Sequence, residues 1–361
     1  MKAALFCTSR YMGKAPEGVW PLPNAYCAPD IATRSMTTTL EQFRLADIFG
    51  FDWVTVAEHH YSSFSMSPNP MVLAGALTQV VKRAKIAVLG PTLPILNPVR
   101  VAEEFAMLDA MTGGRIIAGL MRGTPNEYVT YNINPSESRA RFAESLEIIR
   151  RAWTEPQPFG WQGRYYQYKT ISIWPRPVQN PHPPIYMSGS SPEAGELAAR
   201  NRIGLGFAFT TVPLAKKAVA HYRAQARAAG WEPNPDDVIY RVGFHVAETD
   251  DEAFADMKAT APRVSLTTAN AAINAAMAET AYYGRDEAQA NRTATRDLLD
   301  RIEQGQVLVG SPDTVVKQIK RIHDELGAGI LDCPLAAQLG DKTMRSIELF
   351  GTKVLPRIRE L

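Results

Sequence analysis

The chain has 361 residues, 45% of them hydrophobic and 21% charged, with a formal net charge of +2. That is ordinary globular composition, and with no basic cluster it carries no nucleic-acid signal. No apolar run approaches the roughly 20 residues that span a bilayer, and Cys7, Cys27 and Cys333, odd in number and far apart, imply no disulfide framework. A cytoplasmic protein is the expectation. Ala3 to Cys7 reads as a first strand, because too few apolar residues precede Thr8 for a signal peptide. A Gly/Pro-rich segment from Met12 to Asp30 follows, too long for a simple strand–helix connection and of the kind that tends to be functional. Thr37 to Phe49 carries Leu40, Phe43, Leu45 and Ile48 at helical spacing, with Gly50 as its stop.

The second strand opens at Phe51 and leads directly into Glu58, His59 and His60. In parallel α/β folds the C-terminal ends of strands open onto the active site, so this triplet is the expected floor of a site. Packed, hydrogen-bonded histidines are the alternative. A metal site is disfavoured: adjacent strand residues point to opposite faces, and no H-x-x-x-H, H-E-x-x-H or paired C-x-x-C spacing occurs.

Further along, a helix from Met71 to Val81 precedes a third strand, Lys85 to Leu89. Gly90 at its end permits either close approach of a ligand ring or a plain turn. Pro98 opens a helix to Met111. The fourth strand, Arg115 to Leu120, ends in Met121, Arg122 and Gly123, placing a second charge at a strand end. Arg139 lies in the first turns of the helix Ser136 to Trp153, near free amides and the positive dipole end. The aromatic stretch Thr154 to Pro184 reads as a covering loop or short hairpin.

Pro184 to Ser188 is a fifth strand running into Gly189, Ser190, Ser191 and a helix. Strand, small-residue turn and helix N-terminus make an anion cradle, although Ser190 or Ser191 capping the helix accounts for the pattern equally. No dinucleotide or P-loop fingerprint is present. Leu205 to Phe209, Val238 to Ala247 and Gly329 to Cys333 complete eight strands, and Asp250 to Ile302 (about 250–305 with its flanks) reads as an insertion after the seventh. The alternation predicts one (β/α)8 TIM barrel over residues 1–361.

EHHY at Glu58 to Tyr61, Asn69-Pro70, LPxxNPVRVAEExAxLDxMTGGR from Leu93 to Arg115, Arg122-Gly123, Ser138-Arg139 and SGSSPExxxLAA from Ser188 to Ala199 resemble the bacterial luciferase-like flavin-dependent monooxygenases. The resemblance covers nearly the whole chain. It implies a TIM barrel of the luciferase type with FMN, reduced by a separate flavin reductase, at the barrel mouth. Its phosphate would lie on Arg122, Arg139, Ser190 and Ser191, beside Ser188 and Gly189. Leu89 and Gly90 would lie under the ring, where the family often has a non-proline cis peptide. His59 matches the histidine associated with catalysis, with Glu58 expected to orient it and His60 to be structural. The implied reaction is oxygenation of a small, hydrophobic or heteroaromatic substrate by O2 through a C4a-(hydro)peroxyflavin. Met12, Trp20, Tyr61, Phe64 and Phe209 are the expected apolar pocket, or else core aromatics.

Met121 stands where luciferase has a reactive cysteine, so light emission from an aldehyde is not expected. The resemblance further implies a homo-oligomer, often a dimer. A deazaflavin-dependent oxidoreductase on the same barrel and a non-catalytic flavin-binding protein remain as alternatives. Part of the insertion is expected to be a mobile lid, because it is alanine-rich and charged with few apolar anchors; a rigid helical pair packed on the barrel's side is the alternative.

Overall fold

The structure is a computed structural model that describes residues 1–16, 19–208, 210–260 and 297–361. Twelve strands occur among these residues: β1 (Lys2–Phe6), β2 (Trp53–Val56), β3 (Lys85–Thr92), β4 (Ile116–Met121), β5 (Phe159–Gln162), β6 (Gln167–Ile171), β7 (Ile185–Ser188), β8 (Gly204–Phe207), β9 (Val238–Arg241), β10 (Gly243–Val246), β11 (Val307–Gly310) and β12 (Ile330–Pro334). Eight of them close a parallel barrel in the order β1-β12-β9-β8-β7-β4-β3-β2. Helices α1 (Pro29–Ile48), α2 (Pro70–Val80), α3 (Pro98–Thr112), α4 (Pro125–Tyr131), α5 (Ser138–Thr154), α6 (Pro192–Asn201) and α7 (Val212–Ala228) follow in chain order.

Strand alternation divides the core in two. Inward positions Ala4, Trp53, Ala87, Ile117, Tyr186, Ile239 and Ile330 pack together inside the barrel, with Trp53 and Tyr186 edge to face at 5.5 Å. Outward positions of the same strands join helix faces in a larger core containing Phe43, Phe105 and Trp153. Buried carboxylates bracket the loops. Asp47 accepts the backbone N–H groups of Lys82, Arg83 and Ala84, which fixes the entry to β3. Asp109 accepts those of Val178 and Gln179, tying the aromatic excursion to α3. The excursion itself carries the β5–β6 antiparallel hairpin, held by Glu144, which accepts from Trp161 Nε1, Tyr165 N and Tyr166 N.

The structure departs from expectation in four places. Helix α1 begins at Pro29, not Thr37, because proline takes the first helical turn where its missing N–H costs nothing. The seventh strand divides: β9 stays in the barrel, while β10 leaves it to pair in parallel with β11 outside. Strand β11 was too short, four residues ahead of a Ser-Pro helix start, to be distinguished by pattern. No cis bond adjoins Gly90; cis bonds among the described residues precede Pro21, Pro175 and Pro181. Gly90 instead lies within β3, and a Cβ there would meet Glu58 N and Pro70 Cγ, each at 2.9 Å. The tight β2–β3 packing therefore demands glycine irrespective of any ligand.

Most of the expected lid, residues 261–296, lies outside the described residues. Its flanks are helical at Asp250–Lys258 and Leu298–Glu303. Among the described residues no helix is long and apolar enough to cross a membrane.

Candidate active site

The C-terminal ends of the barrel strands surround a cavity of about 580 Å³. Its lining includes Glu58 and His59 after β2, Leu89 and Gly90 on β3, Arg122 after β4, Arg139 on α5, and Ser188 to Ser191 between β7 and α6. Every residue expected to act on or hold the flavin thus borders one space.

Backbone pairing fixes the loop that carries the Glu-His-His triplet. His59 N donates to Ser67 O, Tyr11 N to Ser63 O, and Leu22 N to Tyr61 O, sewing the Pro-rich segment after β1 onto the loop after β2. Trp20 is buried and its Nε1 donates to His60 O at 2.9 Å. Tyr61 sits at φ 55°, a left-handed conformation that costs a non-glycine residue roughly 1–2 kcal/mol.

Past the end of β2 the triplet divides. Glu58 and His60 point together: Glu58 Oε1 lies 3.1 Å from His60 Nε2, and Oε2 accepts Thr92 N. Burial pushes the Glu58 carboxyl above its ordinary range, only partly opposed by those two bonds. The expectation that Glu58 orients His59 is corrected, because beyond the end of β2 the chain turns the Glu58 carboxylate to His60. His59 instead places Nδ1 3.3 Å from Glu127 Oε1.

Glu127 is 1% exposed and was not singled out from the sequence. Its other oxygen accepts Thr124 N at 2.8 Å and the Thr124 hydroxyl, closing a capping box at the start of α4. Burial raises its pKa, but the His59 and Thr124 hydrogen bonds outweigh this and hold the carboxyl below the usual range. An ionised acceptor at Nδ1 assigns the proton there in neutral His59 and leaves Nε2 for chemistry.

After β4, which only β3 separates from β2, Arg122 Nη1 donates to Ser138 Oγ at 3.4 Å, and the Tyr128 hydroxyl donates to Arg122 O. Gly123 has φ 88° and lets the chain turn sharply after Arg122. Ser191 caps α6, accepting Ala194 N at 3.3 Å, so the capping reading is observed; Ser191, Glu193 and Ala194 still border the cavity. Arg139 lies 3.6 Å from Glu193, whose carboxyl its own N–H, Ser191 and the two arginines hold low despite burial.

The expected substrate aromatics are not gathered with these groups. Met12 is 56% exposed and borders a separate depression along α1, and Tyr61 is 52% exposed. Phe64 meets His59 ring to ring at 6.1 Å, and Phe209 lies outside the described residues. The cavity wall is apolar by other means, through Leu89, Met121, Phe142, Phe207 and Ile239. The floor adds Arg241 and Asp332, likewise unforeseen.

A family model described as luciferase-like monooxygenase matches residues 11–328. The chain is 24% identical to the oxygenase component of a flavin-dependent trigonelline monooxygenase of Acinetobacter baylyi, over 59% of this chain and 60% of that protein. It is also 24% identical to 4-hydroxyprotoasukamycin monooxygenase of Streptomyces nodosus subsp. asukaensis, over 90% of this chain and 87% of that one. Among solved structures, monooxygenase RslO1 of Streptomyces bottropensis superposes with a TM-score of 0.76 at 26% identity, covering 99% of this chain and 100% of the other. The chain spans about half the length of several other curated relatives it matches.

Proposed function

The chain belongs to the luciferase-like monooxygenase family, and on that premise we propose that it is the oxygenase of a two-component system. It takes reduced FMN from a separate flavin reductase and uses O2 to place one oxygen atom on a small organic substrate. The observation that carries this reading is that one cavity collects Arg122, Arg139, the Ser188–Ser191 turn and His59.

The residues fit the cofactor. Two guanidinium groups, serine hydroxyls and a helix N-terminus meet a phosphate dianion with charge and donors together. The volume lies within the roughly 300–1,000 Å³ usual for ligand pockets. Bound reduced FMN supplies the electrons and the reactivity toward O2.

The protein's own share is threefold. Arg122 and Arg139 anchor the phosphate and so fix where the ring lies. Leu89, Met121, Phe142 and Phe207 keep the mouth dry, which suppresses leakage of oxygen to hydrogen peroxide. His59, its Nδ1 proton fixed on Glu127, accepts or returns a proton at Nε2. Glu58 and His60 form a buried pair that supports the strand end; Glu58 acts on packing, not on the reacting atoms.

Oxygen uptake with supplied FMNH2, coupled to mass analysis of candidate substrates under 18O2, tests the proposal. One 18O atom in the product is the expected result. Substrate oxidation without oxygen uptake would overturn it in favour of hydride transfer.

A further inference from the structure

Beyond the cofactor cradle, the cavity floor carries a polar pair that the reading above does not use. Strand alternation places it. Ile239 on β9 and Ile330 on β12 belong to the apolar filling of the barrel; two residues on, at the same parity, come Arg241 and Asp332. They are register partners on adjacent strands, and both line the mouth cavity.

Asp332 is 1% exposed. Its Oδ2 takes both contacts from the arginine, from Nε at 2.7 Å and Nη2 at 2.6 Å, while the guanidinium stacks 3.8 Å above the Phe6 ring. Oδ1 is buried with no hydrogen-bond partner among the described residues. A pair present only for stability gains little over apolar side chains of the same size. Leaving one carboxylate oxygen unmet makes it worse still, since buried acceptors are normally satisfied.

Position decides what fills that oxygen. Around the eight-stranded circle, β12 stands four strands from β4, which carries Arg122, and β9 stands four strands from β3, which carries Gly90. The pair therefore faces the Arg122 and Gly90 strand ends across the mouth, with β8 between it and the serine turn after β7. On the other side of β12 only β1 separates it from β2, the strand that leads to His59. A cofactor anchored at Arg122 and Arg139 leaves this side for the second reactant.

We propose that Arg241 and Asp332 form a substrate-recognition subsite for a neutral organic molecule bearing an O–H or N–H donor, such as a phenol, lactam or carboxamide. The donor satisfies Asp332 Oδ1. Anionic substrates are disfavoured by the same carboxylate, and molecules that only accept hydrogen bonds leave Oδ1 unmet. This rests on the reading of the mouth cavity as the reaction chamber.

The test compares 2-naphthol with 2-methoxynaphthalene, which differ in whether the oxygen carries a proton, by calorimetry on FMN-loaded protein. Loss of a hydrogen bond to a charged group predicts about tenfold or greater preference for 2-naphthol. Asp332→Asn keeps the shape and turns its carbonyl to Arg241, presenting N–H to the cavity, so the preference should fall below roughly threefold with FMN affinity unchanged. Equal binding of the two probes by the native protein, or binding of neither, overturns the proposal without needing any variant. So does an equal loss of FMN and 2-naphthol affinity in Asp332→Asn, which would give the pair to the cofactor. Repeating the comparison on flavin-free protein separates the two readings: failure to bind FMN with the 2-naphthol preference retained supports the subsite and counts against the flavin assignment alone.

Discussion

His59 Nδ1 lies 3.3 Å from Oε1 of Glu127, a buried carboxylate locked in turn by the backbone and hydroxyl of Thr124. The imidazole at the cavity is thus held by a residue 68 positions away, while its sequence neighbour Glu58 serves His60. His59→Ala should retain flavin but send oxygen to hydrogen peroxide, with product per FMNH2 falling by about 10²-fold or more. Glu127→Gln should cause a smaller loss of product per FMNH2, because a neutral amide holds the Nδ1 proton less firmly than a carboxylate does. Product yield at the native level would reduce Glu127 to a helix cap.

Arg122→Ala and Arg139→Ala should weaken FMN binding while barely affecting riboflavin. Losing one charge-assisted contact removes roughly 1.5–3 kcal/mol, or about 10- to 150-fold in affinity. Fluorescence titration with both flavins reads the difference. Equal losses for the two would move the phosphate elsewhere.

Glu193 stands 3.6 Å from Arg139, so its carboxylate competes with a phosphate for that arginine. Glu193→Gln should tighten FMN binding a few-fold at low ionic strength, with the gain shrinking as salt screens the charge. A weaker affinity in the variant would mean that Glu193 orients Arg139 productively.

Stability should respond to pH with opposite signs at the two buried glutamates. Glu127 is held low, so it stabilises the fold above the unfolded carboxyl value and loses that contribution as pH falls through its folded value. Glu58 is raised, so its ionised form destabilises the fold at neutral pH, and the penalty disappears as pH falls. Thermal melts should therefore show Glu127→Gln below native at pH 7 and converging with it only as pH falls below the ordinary carboxyl range. Glu58→Gln should show no loss at pH 7 and a less favourable comparison toward pH 4. Parallel curves for the two variants would contradict the assignment.

The barrel was legible because its strands alternate with helices at regular intervals and because caps such as Asn69-Pro70 and Asn97-Pro98 act as the local sequence says. That Arg122 and Ser188 to Ser191 border one cavity was legible too, since they sit at strand ends. What stayed hidden depends on contacts between distant strands. Asp332 and Arg241 read as ordinary charges until register sets them side by side on the floor. Glu127 did leave a local trace, the Thr124-x-x-Glu127 capping pattern directly after Arg122-Gly123, but only folding shows that its second oxygen meets His59. Conversely, Met12, Tyr61 and Phe64 looked pocket-like by composition, whereas none of them lines the mouth cavity, and their loops are paired instead through Tyr11 N to Ser63 O and Leu22 N to Tyr61 O.

Anaerobic titration of the protein with reduced FMN and, separately, with a reduced deazaflavin cofactor tests the central claim most directly. The account predicts saturable binding of FMNH2 that Arg122→Ala weakens about tenfold or more, and weaker binding of the deazaflavin. Tighter binding of the deazaflavin, or FMNH2 affinity indifferent to Arg122, would contradict it.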